Sequence, residues 1–310
     1  MKEDFYHYLC KELDAISIEE TKVIQELWSG YGEIIRLTYL DKKKSKNTVI
    51  VKKISYPKEA NHPRGWNSNK SHLRKKRSYE IESFWYKEFN YKLNEARIPT
   101  FIMSGFFEQW QFIVLEDLYQ DSYRPKCTIS NNEIKLCLNW LASFHKLHLL
   151  KSYVGLWDIG TYWHLDTRPD ELEALEDQRL KSAAAKIDSR LNLVKYQTIV
   201  HGDAKLANFL FTDDSVAAVD FQYVGGGVGV KDVAYFLSSI YDEQQLELYS
   251  AEWLDFYFKS LNEPEVEKEW RELYPFAWAD FYRFLKGWSP GHSKINSYSE
   301  KMKEKVLACL

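Results

Sequence analysis

Cysteine is scarce in this chain of 310 residues: four are present, and Cys10, Cys127, Cys137 and Cys309 are scattered with no C-x-x-C spacing. The scatter argues against a zinc cage and against a secreted disulfide framework. Charge of one sign is also lacking, since 42 Lys and Arg against 45 Asp and Glu leave a formal net charge of -3. No global positive field is available to recruit nucleic acid or an anionic membrane. No stretch reaches the roughly 18 uninterrupted apolar residues that a membrane helix requires. The start, Met1-Lys2-Glu3-Asp4-Phe5, opens on charges rather than on the apolar run of a signal peptide. The expectation is a soluble, cytoplasmic protein with neither a membrane nor a nucleic acid as partner.

Aromatics are what the sequence has in abundance: 11 Trp, 21 Tyr and 17 Phe supply both a core and aromatic-lined pockets. A chain of 310 residues exceeds the size at which single cores stop growing, so two lobes with a cleft between them are expected. Residues 5–16 have a helical pattern, and strand patterns follow at Thr21 to Trp28, Glu33 to Leu40 and Thr48 to Ile54. Residues 57–70, rich in Pro, Asn, Gly and Lys, read as a loop, and Ser71 to Leu93 as a long helix. Strands at Phe101 to Phe107 and Gln111 to Leu115 lead into Glu116-Asp117-Leu118, where the pattern shifts from strands to helices. The boundary is placed there. A small strand-rich N-terminal lobe over 1–116 is expected to bind nucleotide, and a larger, mostly helical C-terminal lobe over 117–310 to carry catalysis and the acceptor, an α+β class.

In the second lobe, Ser130-Asn131-Asn132-Glu133 spells a capping box that starts a helix running to about Leu150. Ile134, Leu138, Leu141 and His145 fall on one face of it. Further helices are expected over 170–192, 231–240, 243–261, 265–287 and 293–308.

The chemistry is concentrated in two short stretches, His201-Gly202-Asp203-Ala204-Lys205-Leu206-Ala207-Asn208 and Val216-Ala217-Ala218-Val219-Asp220. Phosphoryl transfer needs a carboxylate to orient the attacking hydroxyl and oxygen ligands that hold Mg2+ against nucleotide phosphates. Asp203 supplies the first, in a polar turn after an apolar strand. Asn208 offers a neutral oxygen and Asp220 a charged one for the metal. Lys205, two residues past the aspartate, is placed to offset charge on the transferring group. His201 reads as a scaffold for the loop. The turn Ser29-Gly30-Tyr31-Gly32 between two strands lets backbone amides approach phosphates, with Gly30 and Gly32 as the candidates; an ordinary hairpin turn reads the same way.

These motifs resemble the aminoglycoside phosphotransferase and choline kinase superfamily, with the nearest feel in its ecdysteroid-kinase-like branch. The resemblance implies a protein-kinase-like bilobal fold and spans about residues 20–260. In its terms His201-Gly202-Asp203 stands for the H-R-D of protein kinases and Asp220-Phe221-Gln222 for D-F-G. It also implies ATP as phosphoryl donor, with Lys52 of Val49-Ile50-Val51-Lys52 on the α and β phosphates. Glu82 pairs with that lysine from the following helix, with Lys53 and Glu80 as the alternatives. Glu116 and Leu118 belong to the connector whose backbone meets the adenine edge, and Asp232 matches an aspartate that braces the catalytic loop. Lys205 departs from the pattern, because small-molecule members often carry His or an aromatic there and protein kinases carry Lys.

The missing arginine removes the partner of a phosphorylated activation loop, and only Gly225 to Gly229 separates the metal strand from the next helix. A small-molecule hydroxyl is therefore favoured as acceptor over a protein. The expected function is an ATP- and Mg2+-dependent phosphotransferase with an alcohol group as acceptor. The alternatives are a catalytically weak or inactive kinase-like nucleotide-binding scaffold and, less favoured, a protein kinase. The acceptor itself stays open among sugar, aminoglycoside, amino alcohol and sterol, as do ATP versus GTP and the oligomeric state. The basic cluster Lys70, Arg74, Lys75, Lys76 and Arg77 reads as a solvated helix start, and Gly225 to Gly229 lacks the third glycine of a dinucleotide fingerprint. The aromatic and histidine-bearing segments Trp157 to His164 and Gly287 to His292 are candidates for lining an acceptor pocket or for packed loops.

Overall fold

A computed structural model describes residues 2–27, 30–56, 69–89 and 96–310. Contacts divide the chain into two units: Met1–Tyr91 with Pro99–Tyr123, and Lys92–Ile98 with Arg124–Leu310.

The first unit is built on a five-stranded antiparallel sheet. Its strands are β1 (Ala15–Glu26), β2 (Gly32–Asp41), β3 (Lys46–Ser55), β4 (Phe101–Phe107) and β5 (Trp110–Glu116), in the spatial order β1-β2-β3-β5-β4. Helix α1 (Lys2–Glu12) lays Phe5 and Leu9 on one face, against Ile35, Leu37, Val49, Val51, Phe112 and Val114. Helix α2 (Asn69–Glu88) brings Tyr79 against Leu27, Tyr31 and Ile54. Because successive strand residues point to opposite faces, Val49, Val51 and Lys53 of β3 look toward α1, while Lys52 and Ile54 look the other way.

Two boundaries in this unit differ from the sequence reading. The helix expected to reach residue 16 stops at Glu12, because Asp14 takes a left-handed φ of 53° that no helix can continue. The strand expected from Thr21 starts at Ala15 instead. Its polar residues hid it: β1 is an edge strand whose residues from Glu19 onward are exposed.

The second unit is mostly helical. Helix α3 (Asn131–Leu147) begins at the capping box of Ser130 and Glu133, and Ile134, Leu138, Leu141 and His145 are buried along it. The short helix α4 (Pro169–Glu173) and α5 (Gln178–Asn192) replace the single helix expected over 170–192. Asp177 accepts the Leu180 amide at 3.0 Å and so starts a fresh helix.

Then come β6 (Arg124–Pro125), earlier in sequence, and the strands β7 (Thr198–Val200), β8 (Phe209–Phe211), β9 (Val216–Ala218) and β10 (Gly225–Gly227). β10 pairs with β7, and β6, β8 and β9 form a second small sheet. Four helices close the chain: α6 (Val230–Ile240), α7 (Glu243–Leu261), α8 (Pro264–Trp288) and α9 (Ser297–Leu307). The last starts four residues later than expected, where Asn296 and Ser299 form a capping box. Trp163, Tyr235, Phe281, Phe284 and Leu285 make one buried aromatic cluster of this unit. Among the described residues no helix is long and apolar enough to cross a membrane.

Candidate active site

The turn after β7 is held from behind. Asp232, on the first turn of α6 and 1% exposed, accepts the amide of His201 at 2.6 Å and that of Gly202 at 3.0 Å. Its Oδ2 lies 3.1 Å from Nε2 of His145, whose Nδ1 is 2.8 Å from the Tyr257 hydroxyl. Burial pushes the Asp232 carboxyl up, but the hydrogen bond and charge of His145, with the His201 ring and amide, outweigh it and hold the group below its ordinary value. Asp232 therefore braces the loop rather than capping its own helix, whose N-cap is Gly229.

Gly202 sits at φ 78°, and a Cβ there would stand 2.1 Å from the Tyr223 carbonyl oxygen. The close approach, as well as the dihedral, requires glycine at that point. His201 Nε2 is 3.0 Å from the Val219 carbonyl oxygen, so that nitrogen carries the proton, leaving Nδ1 to accept the Asp203 amide at 3.3 Å. The histidine thus ties this turn to the strand that leads to Asp220.

In front of this scaffold the predicted residues meet. Lys205 Nζ donates to Asp203 Oδ2 at 3.0 Å, and Asn208 Nδ2 donates to the same oxygen at 3.1 Å and to the Asp203 carbonyl at 2.8 Å. Asp203 and Asn208 are 6% and 5% exposed, so these bonds are shielded from competing water. The Asn208 carbonyl accepts the Val219 amide at 2.9 Å, which seats Asp220 beside the loop. Asp220 adopts a left-handed φ of 68° and accepts a hydrogen bond from Gln222 Nε2. Burial lowers the Lys205 pKa, but the charges of Asp203 and Asp220 prevail and raise it, so it stays an ammonium.

Asn208 and Asp220 are the two residues expected to offer oxygen donors to a divalent cation. Among the described residues no group of three or more His, Cys, Asp or Glu could hold a metal. Such a sparse donor set fits Mg2+, which commonly takes one or two protein oxygens and fills its shell with phosphate oxygens and water.

The first unit carries the remaining candidates. Lys52 Nζ donates to Glu82 Oε1 at 2.9 Å and Oε2 at 2.7 Å, with the residues 5% and 2% exposed. Lys53 instead lies 3.7 Å from the Trp110 ring centroid and 3.7 Å from Glu33 Oε1, and Glu80 is half-buried and 3.6 Å from Arg77. Gly30 and Gly32 have φ of 74° and 126°, and a Cβ on Gly32 would meet the Lys53 carbonyl at 2.0 Å. Tyr31 between them is buried, its hydroxyl 2.7 Å from His72 Nδ1. Ser29 lies outside the described residues, as do 57–68 of the expected loop and 90–93 at the end of the expected helix. The Glu116 carboxylate accepts the Thr100 amide at 2.8 Å, and Leu118 is buried. Between these two, Asp117 anchors the connector by accepting from Arg36 at 2.6 Å and Thr48 at 2.8 Å.

Two residues near Asp203, Tyr235 and Lys294, escaped the sequence reading as site members, and a third, Tyr162, lies in the segment Trp157 to His164 offered there as an acceptor-pocket lining. Tyr235 hydrogen-bonds both Asp203 and Tyr162, and burial raises the pKa of each tyrosine well above the ordinary phenol. Lys294, in the segment between α8 and α9, is pulled down to about 8 by burial, against the charge of Asp203 and with that of Lys205. Tyr235 had a signal, lying one turn from Asp232 on α6. Lys294 had none.

The family model described as "Phosphotransferase enzyme family" matches residues 100–276. Among curated proteins none matches significantly. Among solved structures, a choline kinase from Cryptosporidium parvum Iowa II aligns at 11% identity over 99% of this chain and 95% of its own, with a TM-score of 0.57. A microcompartment-associated aminopropanol kinase aligns at 13% identity over 100% and 98%, TM-score 0.56. An amicoumacin kinase, in complex with AMP-PNP, Ca2+ and Ami, aligns at 13% identity over 98% and 92%, TM-score 0.55. At such identities the likeness is one of fold, and the fold is the protein-kinase-like α+β arrangement.

Proposed function

From the premise that this chain belongs to the phosphotransferase enzyme family, we propose that it transfers the γ-phosphate of ATP, with Mg2+, to a hydroxyl of a small molecule. The observation that carries this reading is the Asp203 carboxylate, bonded by Lys205 and Asn208 inside an H-x-D-x-x-x-x-N turn. The acceptor oxygen attacks the γ-phosphorus, the bond to the β-γ bridging oxygen breaks, and the hydroxyl proton passes to Asp203. Lys205, kept charged by its two acidic neighbours, offsets negative charge on the moving phosphoryl group. Asn208 and Asp220 would hold Mg2+, which supplies charge neutralisation on the nucleotide phosphates. Lys52, fixed by Glu82, is the candidate for the α and β phosphates, with Gly30, Gly32, Glu116 and Leu118 around the nucleotide.

A small acceptor is supported by the segment after Asp220. Gly225–Gly227 already pairs with β7, so only Phe221 to Val224 lie between the metal strand and that pairing. So short a connection offers little chain on which to dock a peptide. The structural relatives named for choline, aminopropanol and amicoumacin support the same class of acceptor, and the AMP-PNP and Ca2+ of one of them support a nucleotide and a divalent cation.

The test is Asp203→Asn, assayed for phosphorylated product after incubating cell metabolites and MgATP with the enzyme. Turnover is expected to fall by about 10² or more while ATP affinity is retained. Near-parental turnover would remove Asp203 from this role, and phosphate incorporation into a generic protein substrate would refute the acceptor class.

A further inference from the structure

The segment between α8 and α9 places a lysine beside the catalytic carboxylate. The backbone of Lys294 is fixed on both sides, its amide donating to His292 Nδ1 at 3.1 Å and its carbonyl accepting the Ser299 hydroxyl at 2.9 Å. Its ammonium lies 4.6 Å from the Tyr235 ring centroid and 5.6 Å from that of Phe281. Tyr235 in turn hydrogen-bonds Asp203, so the lysine and the catalytic carboxylate flank one tyrosine. Among the described residues no carboxylate comes within ion-pair distance of Lys294. The half-buried ammonium feels the opposed charges of Asp203 and Lys205 and otherwise meets ring faces, so no direct ion pair compensates its desolvation.

Next to it runs a series of aromatic side chains. The Tyr162 ring is 5.9 Å from Tyr223 and 5.3 Å from Phe284, and Phe284 stacks on Trp288 at 5.5 Å. Tyr162, Tyr223 and Trp288 are half-buried and keep part of their surface accessible. Aromatic faces commonly receive ligand cations. Here Lys294 occupies the faces of Tyr235 and Phe281, and a second cation would meet like charge.

We propose that the acceptor carries an anionic group, a carboxylate or a phosphate ester, that pairs with Lys294 while its carbon skeleton lies on the rings of Tyr162 and Trp288. This inference rests on the phosphotransferase reading and names its substrate class: a hydroxylated acid rather than an amino alcohol or amino sugar.

The full chain with MgATP is offered matched pairs, glycerate against ethanolamine, gluconate against glucosamine, and glycerol 3-phosphate against choline. Turnover is read by phosphorus NMR, and binding by calorimetry with Mg2+ and AMP-PNP. Acids are expected to exceed their amine partners in kcat/KM by about tenfold or more, the usual worth of one charge-assisted contact. The carboxylate and phosphate members identify which anion is read. Lys294→Ala should raise the KM for the acid by about tenfold with little change in kcat, and Lys294→Arg should restore it. Lys294→Glu should reverse the preference toward amines.

Preference of the parent enzyme for amines, or an acid KM indifferent to Lys294→Ala, overturns the proposal, as does a panel in which no acid binds at millimolar concentration. Acids that bind without being phosphorylated would keep the anion site and remove the phosphotransferase reading. Amines phosphorylated while acids are ignored would do the reverse.

Discussion

Asp232→Asn tests whether the brace behind the turn that carries Asp203 is energetic as well as geometric. In the parent, the two carboxylate oxygens take the amides of His201 and Gly202, and one also faces His145. Asparagine keeps one acceptor and turns a donor toward an amide or imidazole that needs an acceptor. A hydrogen bond to a charged group is worth about 1.5–3 kcal/mol, and the unsatisfied donor adds a further cost of about 1 kcal/mol or more. The sum is a loss of roughly 2.5–4 kcal/mol, in a group 1% exposed where water cannot substitute. Urea unfolding followed by helical circular dichroism reads it, with kcat for the phosphoryl transfer measured alongside.

The pH dependence gives a second signature of the same substitution. The folded pKa of Asp232 is depressed below its ordinary 3.8, so its stabilisation is complete above that value and is lost as pH falls through the lower folded pKa. The gap between parent and variant should therefore be full at neutral pH and close in strong acid. A variant within about 0.5 kcal/mol of the parent at neutral pH, a typical surface effect, would refute the reasoning.

Lys52→Met removes the ammonium that donates to both oxygens of the buried Glu82 carboxylate, a break that costs about 3–5 kcal/mol, whereas Lys52→Met with Glu82→Leu recovers most of that stability but no activity; urea midpoints and ATP titration of both variants separate the two effects. Lys294, discharged near pH 8 when folded and near 10.5 when unfolded, makes the folded chain hold fewer protons between those values. Stability should thus rise with pH across that window by at most about 1.4 kcal/mol per unit, a slope that Lys294→Met removes.

The sequence was most legible where chemistry and spacing coincide. The meeting of Asp203, Lys205 and Asn208 was readable because a turn of eight residues from His201 to Asn208 forces its side chains together whatever surrounds it. The cap of α3 was readable for the same reason, being local. Strand β1 was misjudged because an edge strand need not bury an alternating face, so period-2 hydrophobicity is weak in it. Tyr235 bonds Asp203 from α6 and Lys294 comes within its electrostatic influence from the segment before α9, distances in sequence over which no pattern operates. Their proximity is a product of helix packing, and only coordinates reveal it.

The paired lysines of β3 carry a consequence for mutational tolerance. The run Thr48-Val49-Ile50-Val51-Lys52-Lys53-Ile54 is β-branched on both sides of the pleat except at its two lysines. Register is dictated by what lies around it, namely the ladders to β2 and β5, Thr48 on Asp117 and Lys53 over Trp110. A slip by one position would still offer an amine to Glu82, since Lys53 would arrive where Lys52 had been. The same slip would carry Lys52 into the buried place of Val51 against Phe5, so an insertion or deletion here is opposed by the apolar face even though the amine opposite Glu82 survives it.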